Sequence, residues 1–412
     1  MTALRAHFAK LALAGFLLIQ TGAGAWTALN RRGVDFAVYY LSAQALRRGR
    51  DIYALTDAEW AALAEQSQIA EYTKPYLYPP PTAGFVSLFA GLPYQTALLV
   101  WNALSLAALT MAGCALSQLL SRGWIDPLVF AIFALYVPML TTVYAGQVNH
   151  FVLLALAAYL LFMQRKRLFA AGAAFAAGLM IKPIAAPLIV HLAWRRDWRA
   201  IGAIAAGLIA MVLVSVTLTG PQSHLAYLQN GGQLSSLSLG AAPVTYPPNQ
   251  SLFGFFGRLL TTNEFAPAWT DSPDLARALA IGTAALLLIG VAMLTWPRRN
   301  GAETFALETG LVLVTINLIA PTSWYHHAVI SIIPLLLAWR AAPSREWRAA
   351  LIAALILIDA QGLLWHRFEG HTLLLSLGTY GLLIIYAVNA TLVYRLKKNP
   401  ASVAVERRLL LR

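Results

Sequence analysis

The chain has 412 residues, 59% hydrophobic and 11% charged, and a mean hydropathy of +0.64. A water-soluble domain carries about 25% charged residues, so the charge here is too sparse to cover a soluble surface, and length counts membrane spans rather than soluble domains. The net charge of +13 does not point to nucleic acid, because the basic residues form short clusters between apolar runs, where the positive-inside rule puts them, and not one continuous face.

Arg5 and Lys10 precede an apolar stretch from Leu11 to Ile19, and Ala23-Gly24-Ala25 has the small-residue pattern of a signal-peptidase site. Apolar character continues through Trp26 and Leu29, which favours a retained first span over 10–29. With the N-terminus cytoplasmic, an outer loop of 30–81 follows, holding two amphipathic stretches, 35–48 and 56–70; a short apolar piece, 82–92, sits near the outer surface. Span two covers 95–120, carries the sole cysteine, Cys114, and ends at Arg122. One cysteine allows no intrachain disulfide and says nothing about redox compartment. Span three, 127–144, ends outside at Gly146-Gln147-Val148-Asn149, and span four, 150–164, ends inside at Arg165-Lys166-Arg167.

The next stretch, 168–194, is interrupted by Lys182-Pro183. Read as two short segments meeting at Lys182, it returns Arg195, Arg196 and Arg199 to the cytoplasm. At about 1.5 Å per residue neither piece crosses a core of about 30 Å alone. Broken helices at that depth require a protein-lined or water-filled cavity. Span seven, 200–219, leads to an outer loop of 220–272; span eight, 275–296, ends at Arg298-Arg299; span nine, 304–320, ends outside at Pro321-Thr322-Ser323-Trp324. Spans ten to twelve cover 326–340, 349–365 and 372–394, with His366 to His371 outside and the tail 395–412 cytoplasmic.

On this topology Arg31, Arg32, Arg47, Arg48, Arg50, Lys74, Lys182, Arg258, Arg277 and Arg367 are outside, ten of the 30 Lys and Arg, and the remaining bias supports the orientation. Strand alternation, heptads and internal repeats are missing. The expected fold is all-α: one polytopic membrane helix bundle of about twelve segments, some short or broken, with both termini cytoplasmic.

The unusual polar residues gather in the outer loops. Asp35 begins Asp35-Phe36-Ala37-Val38-Tyr39-Tyr40 and reads first as a cap for the helix over 35–48. Tyr76-Leu77-Tyr78-Pro79-Pro80-Pro81 suits an interfacial belt, or the wall of a lipid or sugar groove. Gly146-Gln147-Val148-Asn149-His150 is a polar break between apolar spans, equally a loop cap. Lys182 has apolar neighbours on both sides; it either snorkels to headgroups or marks a functional site with a phosphate partner. Trp324-Tyr325-His326-His327 offers imidazoles to a phosphate or a metal, though adjacent helical histidines point about 100° apart and make poor joint ligands. HExxH, CxxC, P-loop and GxGxxG patterns do not occur in a supporting context.

Taken in order, these motifs resemble glycosyltransferase family 87, a GT-C family that includes polyprenol-phosphate-mannose-dependent α-mannosyltransferases. The resemblance runs over about 30–340 and rests on Asp35-Phe36 with Tyr39-Tyr40, Tyr78-Pro79-Pro80, Gly146-Gln147-Val148-Asn149, the glycine-rich run to Lys182-Pro183, Asn249-Gln250-Ser251-Leu252 and Ser323-Trp324-Tyr325-His326-His327. It implies a bundle of GT-C type and an inverting transfer of a hexose (mannose first) or a pentose from a polyprenyl-phosphate donor to a lipid or glycan acceptor. It also implies that Asp35 is the general base. Lys182, His326, His327 and Arg258 would hold the donor phosphate. Tyr39, Tyr40, Tyr78, Gln147, Asn149, Asn249, Gln250 and Trp324 would line the sugar or lipid groove. A lipid phosphate is a competent leaving group, so the expectation is no cofactor and no obligatory metal. The rival classes are a transporter or flippase, an envelope polysaccharide ligase or polymerase, and a non-catalytic assembly partner. The one-sided placement of polar motifs argues against the first, and the single arginine of 220–272 against the second.

Overall fold

The structure, a computed structural model, describes residues 2–121, 123–240, 243–296 and 302–398. The expected span-terminating residues Arg122, Arg298 and Arg299, and all of the tail after Lys398, lie outside the described residues. Among those described the fold is all-helical, with a single isolated bridge, Asn249 to Trp324, in place of any strand. Seventeen α-helices follow one another: α1 Thr2–Leu29, α2 Val34–Arg47, α3 Asp57–Gln66, α4 Pro80–Ser87, α5 Tyr94–Ser121, α6 Pro127–Leu135, α7 Val137–Ala145, α8 Asn149–Gln164, α9 Leu168–Ile181, α10 Pro187–Trp194, α11 Trp198–Gly240, α12 Leu252–Leu260, α13 Pro273–Leu294, α14 Ala302–Ile319, α15 Ile332–Ala341, α16 Arg345–Leu364 and α17 Leu377–Lys398.

Six of these helices are long and apolar enough to cross a membrane, and eight spans result if the bent pairs α6–α7 and α9–α10 each count as one. The expected count of about twelve is not reached on length and composition, because α8, α14 and α15 are too short to count and α9–α10 counts at most once. Helix α8, for example, has 16 residues, about 24 Å of helix. The apolar helices are also exposed where a soluble protein would bury them. In the most apolar stretch of α13 only 17% is buried, and Leu286 and Met293 are 69% and 73% exposed. Side chains of that size cost roughly 1.5–3 kcal/mol each when left in water, so the exposed belt is a lipid-facing surface. The protein is a multi-pass membrane protein.

Two breaks have local causes: the expected one at Lys182-Pro183, and one inside 127–144, which the sequence suggested was a single span. Between α6 and α7 the axis turns by 55°. Pro138 cannot donate and disfavours helical geometry in the residue before it, and the Val137 N–H finds Asp359 Oδ1 at 2.9 Å. At Lys182-Pro183 the bend is 117°, too sharp for one continuous span. In α11 the non-helical Gly220, with φ 73°, precedes Pro221 and kinks the helix, so helix continues where the sequence suggested the start of an outer loop.

The chain divides into two compact units. The first holds Met1–Leu135, Met139–Pro183 and Gly202–Ala241. Inside it α9 crosses α11 through small residues: a Cβ on Gly172 would lie 2.4 Å from the Ala203 backbone. Such contacts let membrane helices approach closely where no hydrophobic effect drives them together. The two amphipathic stretches of the first loop are helices α2 and α3. The latter starts with a capping box, Thr56 accepting from Glu59 N while Glu59 accepts from Thr56 N. The proline run behaves as a helix start, with Pro79 at the N-cap and Pro80 in the first turn of α4.

The second unit holds Tyr136–Pro138, Ile184–Ile201 and Ala242–Arg412. Its most buried acid, Glu308 of α14, is fully enclosed and pairs with Arg195 and, at 2.6 Å, with Lys397 of α17. An enclosed carboxylate is tolerable only with such partners.

Candidate active site

In the first unit, Asp35 stands at the start of α2 but does not cap it. Gly33, with φ 93°, occupies the N-cap, leaving Asp35 in the first turn with its carboxyl available for another purpose. The capping explanation of this acid is therefore replaced by a partnered one. The Gln147 and Thr73 side chains and the Lys182 charge all act on the Asp35 carboxyl to favour its ionised form. Burial pushes this carboxyl above the ordinary carboxylate range, while Gln147, Lys182 and Thr73 pull it back down.

Gln147 is the hub, only 4% exposed. Its Oε1 accepts from the Tyr39 hydroxyl at 3.2 Å, and its Nε2 donates to the Tyr78 hydroxyl at 3.0 Å. Tyr39 and Tyr78 meet edge-to-face at 4.8 Å. Burial pushes both phenols above their usual range, so both remain neutral donors. Lys182 Nζ donates to Asn149 Oδ1 at 3.2 Å and sits 5.8 Å above the Tyr78 ring. Thus Asp35, Tyr39, Tyr78, Gln147, Asn149 and Lys182, drawn from four separate stretches of sequence, form one constellation.

Gly146 makes this assembly possible. It has φ 69°, and a Cβ there would lie 2.5 Å from Phe36 Cβ, so the 146–147 turn presses directly onto the start of α2. Its carbonyl accepts from Trp101 Nε1 at 2.9 Å. Gly146→Ala combines a left-handed φ penalty of roughly 1–2 kcal/mol with that clash. It should lower the melting temperature by several degrees and reduce turnover by displacing Gln147 from Asp35; thermal unfolding and a rate assay on the same preparation check both.

Beside the polar cluster lies an apolar cavity of about 280 Å³, whose wall includes Pro81, Phe85, Phe151, Ile181, Val214 and Leu218. Val148 and Trp101 also line it. Because Val148 sits between Gln147 and Asn149, cavity and cluster share one turn of chain. The sequence pattern missed the α11 side of this cavity, and it missed Thr73 and Trp101 as site residues. The Tyr-Pro-Pro run was the available signal, and its Pro81 does contribute to the wall.

Tyr40 faces elsewhere: its hydroxyl donates to the Leu92 carbonyl at 2.8 Å and its ring packs against Tyr94. In the second unit, Asn249 and Gln250 are 0% and 2% exposed and their amides are saturated. Asn249 donates to the Val244 and Pro321 carbonyls and accepts from Ser251 and Ser323 N–H. Gln250 donates to the Pro247 and Leu375 carbonyls and accepts from Thr379. Arg258, fully enclosed, spends its guanidinium on the Tyr246 and Asn249 carbonyls and on Ser376 Oγ. These three side chains hold the loop before α12 together through these bonds.

Trp324 bridges Asn249 and meets Tyr246 edge-to-face. His326 and His327 follow in a 3-10 helix, Tyr325–Ser331, with rings 4.7 Å apart and nearly perpendicular. Among the described residues no three of His, Cys, Asp and Glu converge as a set of metal ligands.

A model of glycosyltransferase family 87 matches residues 76–321. That stretch contains Tyr78, Gln147, Asn149 and Lys182, and it begins after Asp35. A curated relative is 26% identical over 347 residues, covering 82% of this chain and 74% of its own length. It is the polyprenol-phosphate-mannose-dependent alpha-(1-2)-phosphatidylinositol pentamannoside mannosyltransferase of Mycobacterium tuberculosis (strain CDC 1551 / Oshkosh). No solved structure matches the chain.

Proposed function

The chain belongs to glycosyltransferase family 87 and is a membrane glycosyltransferase, and from that premise we propose that it moves a sugar, mannose first, from a polyprenyl-phosphate donor to a lipid or glycan acceptor with Asp35 as general base. The observation that carries this reading is the junction of the Asp35–Gln147–Lys182 cluster with a carbon-lined cavity. A lipid-borne donor has those two halves: a phosphate sugar at its head and a hydrocarbon tail.

In this reading the ionised Asp35 carboxylate takes the proton of an acceptor hydroxyl as that oxygen bonds to the anomeric carbon. The bond from the anomeric carbon to the phosphate oxygen breaks, and its electron pair leaves with the polyprenyl phosphate. One displacement with one base inverts the anomeric centre. Lys182 meets the charge that grows on the leaving phosphate, and Asn149 steadies the ammonium at 3.2 Å. Gln147 orients the carboxylate and, with the Tyr39 and Tyr78 hydroxyls, offers hydrogen bonds to sugar oxygens. The cavity along α4, α5, α8, α9 and α11 takes the first isoprene units of the tail.

We place this site on the outer face of the cytoplasmic membrane, with both termini inside. Support comes from the positive-inside bias and from the helix count. Counting α8, α14 and the Tyr325–Ala341 stretch as short segments, and α9 and α10 as two halves of a re-entrant pair, gives twelve. A cytosolic nucleotide sugar would not reach Asp35 there, which fits a lipid donor.

The test is transfer of radiolabelled mannose from polyprenyl-phosphate mannose to envelope lipid acceptors by the purified, reconstituted protein. Labelled glycolipid should appear, with an anomeric configuration opposite to the donor's. Failure with this donor and with the pentose and other hexose donors would sink the reading.

A further inference from the structure

On the opposite side of α2 from Asp35, a second cavity of about 450 Å³ opens in the first unit. Helix geometry separates the two: Asp35 and Tyr39 share one face, while Tyr40, Gln44 and Arg48 recur every fourth residue on the other. The lining is polar, including Arg31, Arg48, Gln44, Gln66 and Gln68, and contains no carboxylate.

The arginines here differ from three of the four other cations in the same loop, the fourth, Arg47, donating to the Ser87 carbonyl. Arg32, Arg50 and Lys74 each face an acid: Glu71 at 3.3 Å, Glu59 at 3.8 Å and Asp57 at 2.6 Å. Arg31 and Arg48 donate instead to uncharged amides. Arg31 Nη1 reaches the Gln68 carbonyl and side chain at 3.1 and 3.0 Å, and Arg48 Nη2 reaches Gln66 Oε1 at 2.9 Å. Two guanidinium charges thus converge on one cavity, oriented by neutral groups and not neutralised, with N–H groups to spare.

The backbone adds a second, independent observation. Arg31 and Gln68 have φ of 50° and 56°, two of the four non-glycine residues with positive φ among the described residues. Both stand just past a helix end, where glycine would remove the strain. Each instead carries a long polar side chain, and the two bond one another beside the cavity. Strain of this kind persists where a side chain is needed at that position.

Location restricts the ligand. Arg31 follows the end of α1, and Tyr94 and Gln95, also in the lining, open α5. Both helices are candidate spans, so the cavity lies at the level of the lipid headgroups. We propose that this cavity is a phosphate-recognising site for the headgroup of an anionic membrane lipid: Arg31 and Arg48 share the phosphate, and the glutamine amides take the polar groups beyond it. Guanidinium forks suit phosphate oxygens, and planar amides suit the hydroxyls of a polyol headgroup. The site shares α2 with the Asp35 cluster but needs none of its residues.

Native mass spectrometry of the full-length protein, titrated with phosphatidylglycerol and with phosphatidylcholine, tests this. Phosphatidylglycerol should bind the wild type more tightly than phosphatidylcholine, and Arg31→Gln/Arg48→Gln should weaken it by about tenfold or more, the scale of losing charge-assisted hydrogen bonds. Gln44→Glu, which keeps both arginines but adds a neutralising carboxylate, should weaken it in the same direction and guards against misfolding of the double variant. Arg32→Gln, already paired with Glu71, and Asp35→Asn should bind as the wild type does, which separates this site from the transferase reading. Inorganic phosphate is the competing arm: displacement of the lipid by millimolar phosphate alone would reassign the pocket to a free anion and overturn the lipid source. Equal phosphatidylglycerol binding by the wild type, the double variant and Gln44→Glu would overturn the site itself.

Discussion

Asp35→Asn is expected to lower the transfer rate by about 10²–10⁴-fold, the range associated with loss of a positioned general base. Asparagine is close in shape, so Gln147 and Thr73 can still hold it, and the fold should survive; an unchanged melting temperature establishes that. What disappears is the capacity to take a proton from the acceptor hydroxyl. The pH profile carries the same information in the unmodified enzyme. Burial lifts the Asp35 carboxyl above its ordinary range, and the base must be ionised to act. Activity is therefore present above the Asp35 pKa and lost as pH falls through it, with the acid limb of kcat/KM lying higher than for a solvent-exposed carboxylate. A variant retaining wild-type turnover would remove Asp35 from the chemistry.

Lys182→Met should have the next largest effect, about 10²–10³-fold, the scale of removing a fixed group aimed at developing charge. Its second consequence distinguishes an electrostatic role from simple packing. The Lys182 charge lowers the Asp35 pKa, so its removal lets that pKa rise, and the acid limb should move to higher pH. Lys182→Arg retains the charge and should leave the limb near its wild-type position, while losing part of the rate because the guanidinium cannot reproduce the 3.2 Å contact to Asn149. If Lys182→Met lowered stability and nothing else, with the limb unmoved and the rate per folded molecule unchanged, Lys182 would be a structural residue.

The two breaks show how much of the fold the chain announces. Pro138 and Pro183 lack the N–H that a continuing helix needs and restrict the preceding residue. The break at Lys182-Pro183 was legible in the sequence, while 127–144 reads as one continuous span and the pattern missed its break at Pro138. Asp359 was not legible either. It lies 222 positions from the Val137 N–H that it accepts, in an apolar helix with no local pattern around it. Length and composition leave the count of about twelve unconfirmed for a related reason. Apolar runs locate segments, but whether a piece of 10–16 residues crosses, bends back or lies flat depends on what it packs against, and hydropathy does not record its neighbours.

The site divides in the same manner. Asp35, Tyr39, Tyr78, Gln147, Asn149 and Lys182 were each picked out by being polar at the edge of an apolar run, where a charge or amide is costly without a partner. Asn249, Gln250 and Arg258 came in with the family resemblance, and they use their polar groups on backbone carbonyls, neighbouring N–H groups and Ser376. Sequence position cannot separate an amide that waits for a ligand from one that closes a loop, because the difference is whether its hydrogen bonds are already filled.

By itself the sequence determined that this is a helical membrane protein and which polar groups are out of place in it, since solvation cost depends on local composition. Only the tertiary structure decided which of those groups meet. Gly33 takes the N-cap and frees Asp35, Gly146 lets a distant turn press onto Phe36, and Lys182 comes to lie over Tyr78. These are contacts at long separation, fixed by backbone approach distances and helix packing, which no local pattern encodes.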